Sequence, residues 1–235
     1  KENLSSLVAW KKIFEGDSFV YDYPLGRAHY GDFGYMAISD VIYRDIRSLD
    51  RLGLNGYIAC QELRAGFPTN FPDYVMGRTL WNKDISYDSL VEEYFSSLYG
   101  TQWRKAVDWL RQMSRLSSCD YFNGIGDRVN PQKAQDYAAI VRLSDGALDL
   151  IRREIGATTG LVKKEWVKLS FYREYVMLIS AALCAQAGGD AAEADKKWNE
   201  CLDFIRRNER NIQNELDVYR VIEVAKNYAG FTLSD

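Results

Sequence analysis

The segment from residue 18 to residue 62 reads SFVYDYPLGRAHYGDFGYMAISDVIYRDIRSLDRLGLNGYIACQE, and it decides the predicted fold. It contains two short runs rich in β-branched and aromatic residues, SFVYDY at 18–23 and GYIACQ at 56–61. Each run has the length and composition of a buried strand, and Pro24 ends the first one. We therefore predict two strands in this segment.

The stretch between the two strands predicts a helix. Residues 39–52 repeat apolar side chains at helical spacing, and Gly53 follows as a stop signal. A strand, a helix and a second strand in this order are typical of a parallel sheet, with both strand C-termini at one edge. Because two strands do not make a stable parallel sheet, we expect the other strands to come from outside this chain, unless the sheet is a small remnant.

From residue 85 onward the pattern is helical throughout. The helix lengths suit an antiparallel bundle, and no fixed repeat period indicates a solenoid. The predicted ranges are 87–98, 101–116, 131–155, 161–187 and 190–228, the last interrupted near 208–211.

Composition excludes several classes of function. The 30 basic and 33 acidic residues nearly balance and form no basic stripe, so nucleic acid is not an expected partner. The longest apolar run, 176–187, is too short to span a bilayer. One histidine and four cysteines without CxxC spacing predict no zinc site, and we expect no cofactor. The cysteines either include a disulfide between Cys184 and Cys201 or are small buried hydrophobic residues.

Two carboxylates stand where functional groups are found in parallel α/β sheets, at the ends of strands. Asp22 ends the first predicted strand, and Glu62 follows the second. Paired carboxylates carry out glycoside hydrolysis, so we predict both as catalytic residues. The structural alternatives are that Asp22 caps a loop and that Glu62 pairs with Arg27 or Arg64.

The loops around these carboxylates mix aromatic, amide and charged side chains. Aromatic residues make up 14% of the chain, and rings with a polar edge suit stacking on sugars. No GxGxxG, GxxxxGK[ST] or GxSxG motif indicates a nucleotide site or a serine hydrolase. The predicted substrate-binding residues are Tyr21, Tyr23, His29, Tyr30, Gln61 and Arg64.

Several segments resemble, in the same order, a bacterial family of glycoside-hydrolase-like proteins related in fold to α-glucuronidases. The strand at 19–23 resembles the family's late-barrel strand with aromatic residues and an aspartate, and 45–57 resembles its helix, glycine turn and strand. Glu62 falls where the family carries a glutamate. The stretches 74–82 and 90–100 are similar to its helix ending in Leu-Trp-Asn and its helix ending in Tyr-Gly.

The resemblance covers residues 5–115, departs from the family pattern at 101–103, and implies a fold. Residues 1–84 would be the last βα units of a (β/α) barrel, and residues 85–235 an antiparallel helical bundle. Asp22 and Glu62 would be the water-activating carboxylates. The general acid would stand on an earlier strand, in an N-terminal part of the same protein, so this chain alone would be inactive.

The resemblance also implies a carbohydrate partner and a periplasmic or extracellular location. The leading hypothesis is therefore a glycoside hydrolase acting on polysaccharide or oligosaccharide. One alternative is a non-catalytic glycan-binding module that uses the same aromatic loops. Another is a helical interaction domain.

Trp81 and Tyr99 are expected to pack at the junction between residues 1–84 and residues 85–235.

Overall fold

A computed structural model describes residues 2–62 and 64–232 of the chain, and most of them are helical. Short 3₁₀ turns and a π turn, Ala225–Ala229, lie between or after the regular elements. The elements in chain order are α1 (Glu2–Trp10), β1 (Phe19–Asp22), α2 (Met36–Ser48), β2 (Gly56–Ala59), α3 (Phe71–Trp81), α4 (Tyr87–Tyr99), α5 (Trp103–Leu116), α6 (Cys119–Phe122), α7 (Pro131–Gly146), α8 (Leu148–Ala157), α9 (Gly160–Ala187), α10 (Ala191–Ile212) and α11 (Val218–Val224).

The two strands form a small parallel sheet. β1 pairs with β2 in a register that joins Phe19 to Gly56 at one end and Asp22 to Ala59 at the other. The order strand, helix, strand is as predicted, but the prediction that residues 1–84 form βα units of a barrel is wrong. After β2 the chain enters α3 and α4 and adds no third strand within the described residues. The fold is mainly helical with a two-stranded sheet.

Helix α9 lies at the centre of the helical part. It packs against α7, α8, α10 and α4, and none of its residues from 165 to 187 is exposed. A helix with no exposed residue over such a length has neighbours on all sides, so α9 is the central helix. The predicted helix at 161–187 agrees closely with α9, whereas the predicted helix at 131–155 is divided into α7 and α8.

Side-chain caps begin several of these helices. The Ser86 hydroxyl accepts a hydrogen bond from the backbone nitrogen of Ser89, and Asn130, which precedes Pro131, caps α7 in the same way. Asp190 caps α10, and Asp217 caps α11. Because a cap satisfies an otherwise unpaired backbone N–H group, these residues fix where each helix begins.

One buried core runs across the predicted boundary at residue 85. The Tyr99 ring contacts Trp166 edge-on, with 5.0 Å between centroids, and Phe67 meets Tyr172 at 4.9 Å. These contacts join the segment around β2 and α4 to the central helix. Tyr99 is buried as expected, but Trp81 is 90% exposed at the end of α3 and packs in no junction.

The described residues contain no disulfide, no helix that could cross a membrane and no metal-binding cluster. All four cysteines are free, so Cys184 and Cys201 form no disulfide, although only Cys201 is fully buried. No helix in the described ranges combines the length and apolar character needed to cross a membrane. No group of three or more His, Cys, Asp or Glu side chains among them is placed to hold a metal ion.

Candidate functional site

Glu62 is held in place by its backbone and by two side-chain donors. Its backbone nitrogen donates to the carbonyl oxygen of Leu25 at 3.2 Å, just beyond the paired part of β1 and β2. The Tyr30 hydroxyl donates to Oε2, and Nε of Arg220 donates to Oε1 at 3.1 Å. The Glu62 side chain is 14% exposed, so the carboxylate is fixed in orientation but retains contact with solvent.

His29 lies beside this carboxylate without bonding to it. Its Nε2 is 3.7 Å from Oε2 of Glu62, and neither ring nitrogen has a hydrogen-bond partner among the described residues. Burial, and then the positive charge of Arg220, lower the pKa of His29 to about 3. His29 is therefore neutral at physiological pH, and its contact with Glu62 is not an ion pair.

The environment also changes the basicity of Glu62. Burial raises the pKa of its carboxyl, and this effect outweighs the hydrogen bonds from Tyr30 and Arg220, which act in the opposite direction. A raised pKa makes the ionised carboxylate a stronger base. An oriented, partly buried carboxylate of this kind is suited to accepting a proton.

A distant part of the chain completes the site. Ala65 and Leu216 form an antiparallel bridge, and the backbone nitrogen of Gly66 donates a hydrogen bond to the backbone carbonyl oxygen of Glu215 at 2.8 Å. This pairing places the start of α11, and with it Arg220, against Glu62. Arg64, a predicted substrate-binding residue, instead binds the Asp217 carboxylate at 2.6 Å and stabilises this junction. No local pattern in the sequence indicates Arg220, because its contact with Glu62 spans 158 positions.

The loop that carries His29 and Tyr30 is fixed by Asp32. The buried carboxylate of Asp32 accepts hydrogen bonds from the backbone nitrogens of Gly34, Tyr35 and Ile38. The Ser114 hydroxyl of α5 donates to the same carboxylate at 2.5 Å. Asp32 thus connects the beginning of α2 to α5 and holds the loop beside Glu62.

Asp22, the other predicted catalytic residue, lies in different surroundings. Its carboxylate accepts hydrogen bonds from the Tyr57 hydroxyl at 3.0 Å and the Tyr23 backbone nitrogen at 2.8 Å. With Asp45 it lines a mainly apolar cavity of about 360 Å³ between the sheet and α2. Burial, and then the charge of Asp22, raise the pKa of Asp45. No contact between described residues brings Asp22 to Glu62.

The other predicted substrate-binding residues, Tyr21, Tyr23 and Gln61, direct their side chains to partners other than Glu62. Tyr21 and Tyr23 are 52% and 61% exposed, and their rings meet edge-on at 5.2 Å. A hydrogen bond with Cys60, followed by one with Tyr23, raises the pKa of Tyr21 to about 12. Gln61 donates to the Asp73 carboxylate and so connects the end of β2 to α3. Of the predicted site, the structure brings together His29, Tyr30 and Glu62.

The chain was compared with protein-family models, with curated proteins and with solved structures. No family model, no curated protein and no solved structure matches the chain. The geometry around Glu62 and the sequence patterns are therefore the evidence that bears on function.

Proposed function

We propose that this chain is part of a glycoside hydrolase in which Glu62 is the general base. In this role the carboxylate takes a proton from a water molecule as the water attacks the anomeric carbon of a sugar. The observation that supports the proposal most is the state of Glu62, a partly buried carboxylate after a strand, oriented by Tyr30 and Arg220. Its raised pKa increases its strength as a base.

The neighbouring groups fit this role. Tyr30 and Arg220 each bind one carboxylate oxygen and limit rotation of the side chain. Neutral His29 is a buried polar group 3.7 Å away and adds no positive charge that would lower the basicity of Glu62. Since the site is only partly closed, water has access to the carboxylate.

Hydrolysis also needs an acid that protonates the departing oxygen. Asp22 does not supply it in this proposal, because its carboxylate faces α2 and is bonded to Tyr57. The acid is assigned to a carboxyl group from another segment of the same protein, as the family resemblance implies.

The proposal is tested by replacing Glu62 in the natural-length protein. Glu62→Gln keeps the shape of the side chain and one acceptor oxygen but is not a base, so hydrolysis of oligosaccharides should fall by about 100-fold or more. Reducing-sugar release from a panel of polysaccharides measures the rate. Glu209→Gln is the matched control, because Glu209 is exposed on α10, and it should leave the rate unchanged. Equal rates for Glu62→Gln and the wild type would reject the assignment.

A second candidate is a non-catalytic glycan-binding module. The observation that favours it is the pair of exposed rings at Tyr21 and Tyr23, which offer apolar faces to a pyranose. Under this alternative, Tyr21→Ala and Tyr23→Ala weaken oligosaccharide binding, measured by calorimetry, while Glu62→Gln changes nothing. Under the leading proposal, Glu62→Gln lowers turnover by about 100-fold or more but preserves oligosaccharide binding.

A further inference from the structure

The cavity between the sheet and α2 is separate from the site at Glu62, which does not line it. One face of α2 forms a wall of this cavity, and Ile38 and Val41 belong to that face. Pro24 after β1 and Cys119 at the start of α6 lie on other sides. The lining is mainly apolar, and the volume of about 360 Å³ falls within the range of roughly 300–1,000 Å³ that is typical of small-molecule sites. The cavity therefore has the size and composition of a ligand pocket.

The α2 wall is incompletely covered by the protein. Residues 38, 41, 42 and 45 recur at helical spacing and so share one face of the helix. Val41 is 45% exposed on that face, whereas Ile42 is 4% exposed. A ligand with an apolar body would remove the exposed part of Val41 from water, which is favourable.

Two carboxylates also line the cavity, Asp22 at the end of β1 and Asp45 on α2. Burial, and then the charge of Asp22, raise the pKa of Asp45, and the opposing effect of Arg44 is smaller. The two carboxylates are therefore close enough to repel each other. No described lysine or arginine forms an ion pair with either of them, and Arg44 is bound to Asp40 at 2.9 Å. The cavity thus combines an apolar wall with negative charge that no described cation neutralises.

This combination fits an organic cation better than other small molecules. The two carboxylates repel an anionic ligand, and the apolar wall offers no partners to the hydroxyl groups of a sugar. An ammonium group is attracted to both carboxylates and donates hydrogen bonds to them. The Tyr57 hydroxyl donates to Asp22 at 3.0 Å and so holds that carboxylate in position.

We propose that this cavity binds a small organic ammonium compound, with its nitrogen at Asp22 and Asp45 and its apolar body against Ile38 and Val41. The proposal goes beyond the hydrolase activity and does not depend on it, because the cavity and the Glu62 site share no lining residue.

Binding of 2-phenylethylamine, which is protonated at pH 7, tests the proposal. The matched control ligand is 2-phenylethanol, which has the same shape without the charge. In NMR titrations of the ¹⁵N-labelled protein, we expect the amine to shift the backbone amide signals of Ile38, Val41 and Tyr57. It should bind at least about tenfold more tightly than the alcohol. No shift at these residues up to the solubility limit of the amine, or equal affinities for the two compounds, would overturn the proposal.

Three variants separate the charge from the apolar contact. Asp45→Asn should weaken binding of the amine by about fivefold and leave binding of the alcohol unchanged. Val41→Ala, at a half-exposed helical position, should weaken binding of both compounds by about threefold. Asp203→Asn is the matched control for charge, because Asp203 is exposed on α10, and it should change neither affinity.

Unchanged affinity for the amine in Asp45→Asn would overturn the proposal. Equal loss of amine binding in Asp45→Asn and Asp203→Asn would do the same, because the attraction would then come from the net charge of the protein and not from the cavity. None of these measurements uses turnover. Their failure is therefore distinguishable from failure of the hydrolase proposal.

Discussion

At the scale of single residues, burial affects the pKa values of His29 and Glu62 more than neighbouring charges do. His29 is the only histidine in the chain, and burial holds its pKa at about 3, against 6.5 for an exposed imidazole. A depressed pKa contributes stability that is fully present above pH 6.5 and is lost as the pH falls toward 3. We therefore predict that this contribution falls by up to about 1.4 kcal/mol per pH unit below pH 6.5.

Urea unfolding at a series of pH values measures this effect. His29→Gln is the comparison, because glutamine is polar, similar in size and does not titrate. The stability of the wild type relative to this variant should decrease between pH 6.5 and 4.5. An imidazole NMR signal that titrates near pH 6.5 in the folded protein would show that His29 is not held neutral.

Arg220 provides a second prediction at this scale. Its guanidinium lowers the pKa of Glu62, in opposition to the larger effect of burial. Arg220→Met removes that charge and hydrogen bond, so the pKa of Glu62 should rise further. Titration of ¹³C-labelled glutamate carboxyls follows the change, with Arg206→Met on α10 as an exposed control. An unchanged or lower pKa of Glu62 in Arg220→Met would contradict the described contact.

The residues of the site differ in how far the sequence could predict them. Glu62, His29 and Tyr30 were predicted because they belong to strand ends and to the loop after β1, where local patterns are informative. Asp22 is also predicted from its position at a strand end. However, the direction of its side chain depends on the face of the sheet to which it belongs, and in the structure the Asp22 carboxylate accepts a hydrogen bond from the Tyr57 hydroxyl. No local sequence pattern predicts Arg220 as a site residue, because only the bridge between Ala65 and Leu216 brings it close to Glu62.

At the scale of elements, helices were easier to predict than the sheet. The apolar pattern and the flanking glycines predicted α9 almost to the residue, because helical periodicity is a local property. The strands were also located, but a local pattern does not say how many strands a sheet contains. The barrel was expected from a resemblance, and the two-stranded sheet corrects it.

The contact between the loop after β1 and helix α5 gives a prediction for an element. A Cβ atom added to Gly34 would lie 1.8 Å from the carbonyl oxygen of Leu110. Gly34→Ala should therefore lower the free energy of unfolding by about 3 kcal/mol or more, because backbone must move. Gly77→Ala, where nothing lies within 4 Å in α3, should instead stabilise by about 0.5–1 kcal/mol. Similar unfolding free energies for the two variants would contradict this packing.

At the scale of the whole molecule, the continuous core predicts cooperative unfolding. Trp166 is fully buried against Tyr99, so it connects α4 to the central helix. Trp166→Ala should lower the free energy of unfolding by about 3–5 kcal/mol. Trp81→Ala, at a 90% exposed position, should change stability by less than about 0.5 kcal/mol. Circular dichroism and fluorescence should report one coincident transition, and two separate transitions would show that the core is divided.

Chemical rescue is the decisive test of the proposal that Glu62 is the base that activates water. Glu62→Ala in the natural-length protein leaves space for a small anion beside the sugar. Added azide then attacks the anomeric carbon of an aryl glycoside and displaces the phenol without needing a base. We expect hydrolysis of the glycoside by this variant to fall by about 100-fold or more, and added azide to restore release of the phenol, with a glycosyl azide and not the free sugar as the product. Full activity of Glu62→Ala, or a lost activity that azide does not restore, would contradict it.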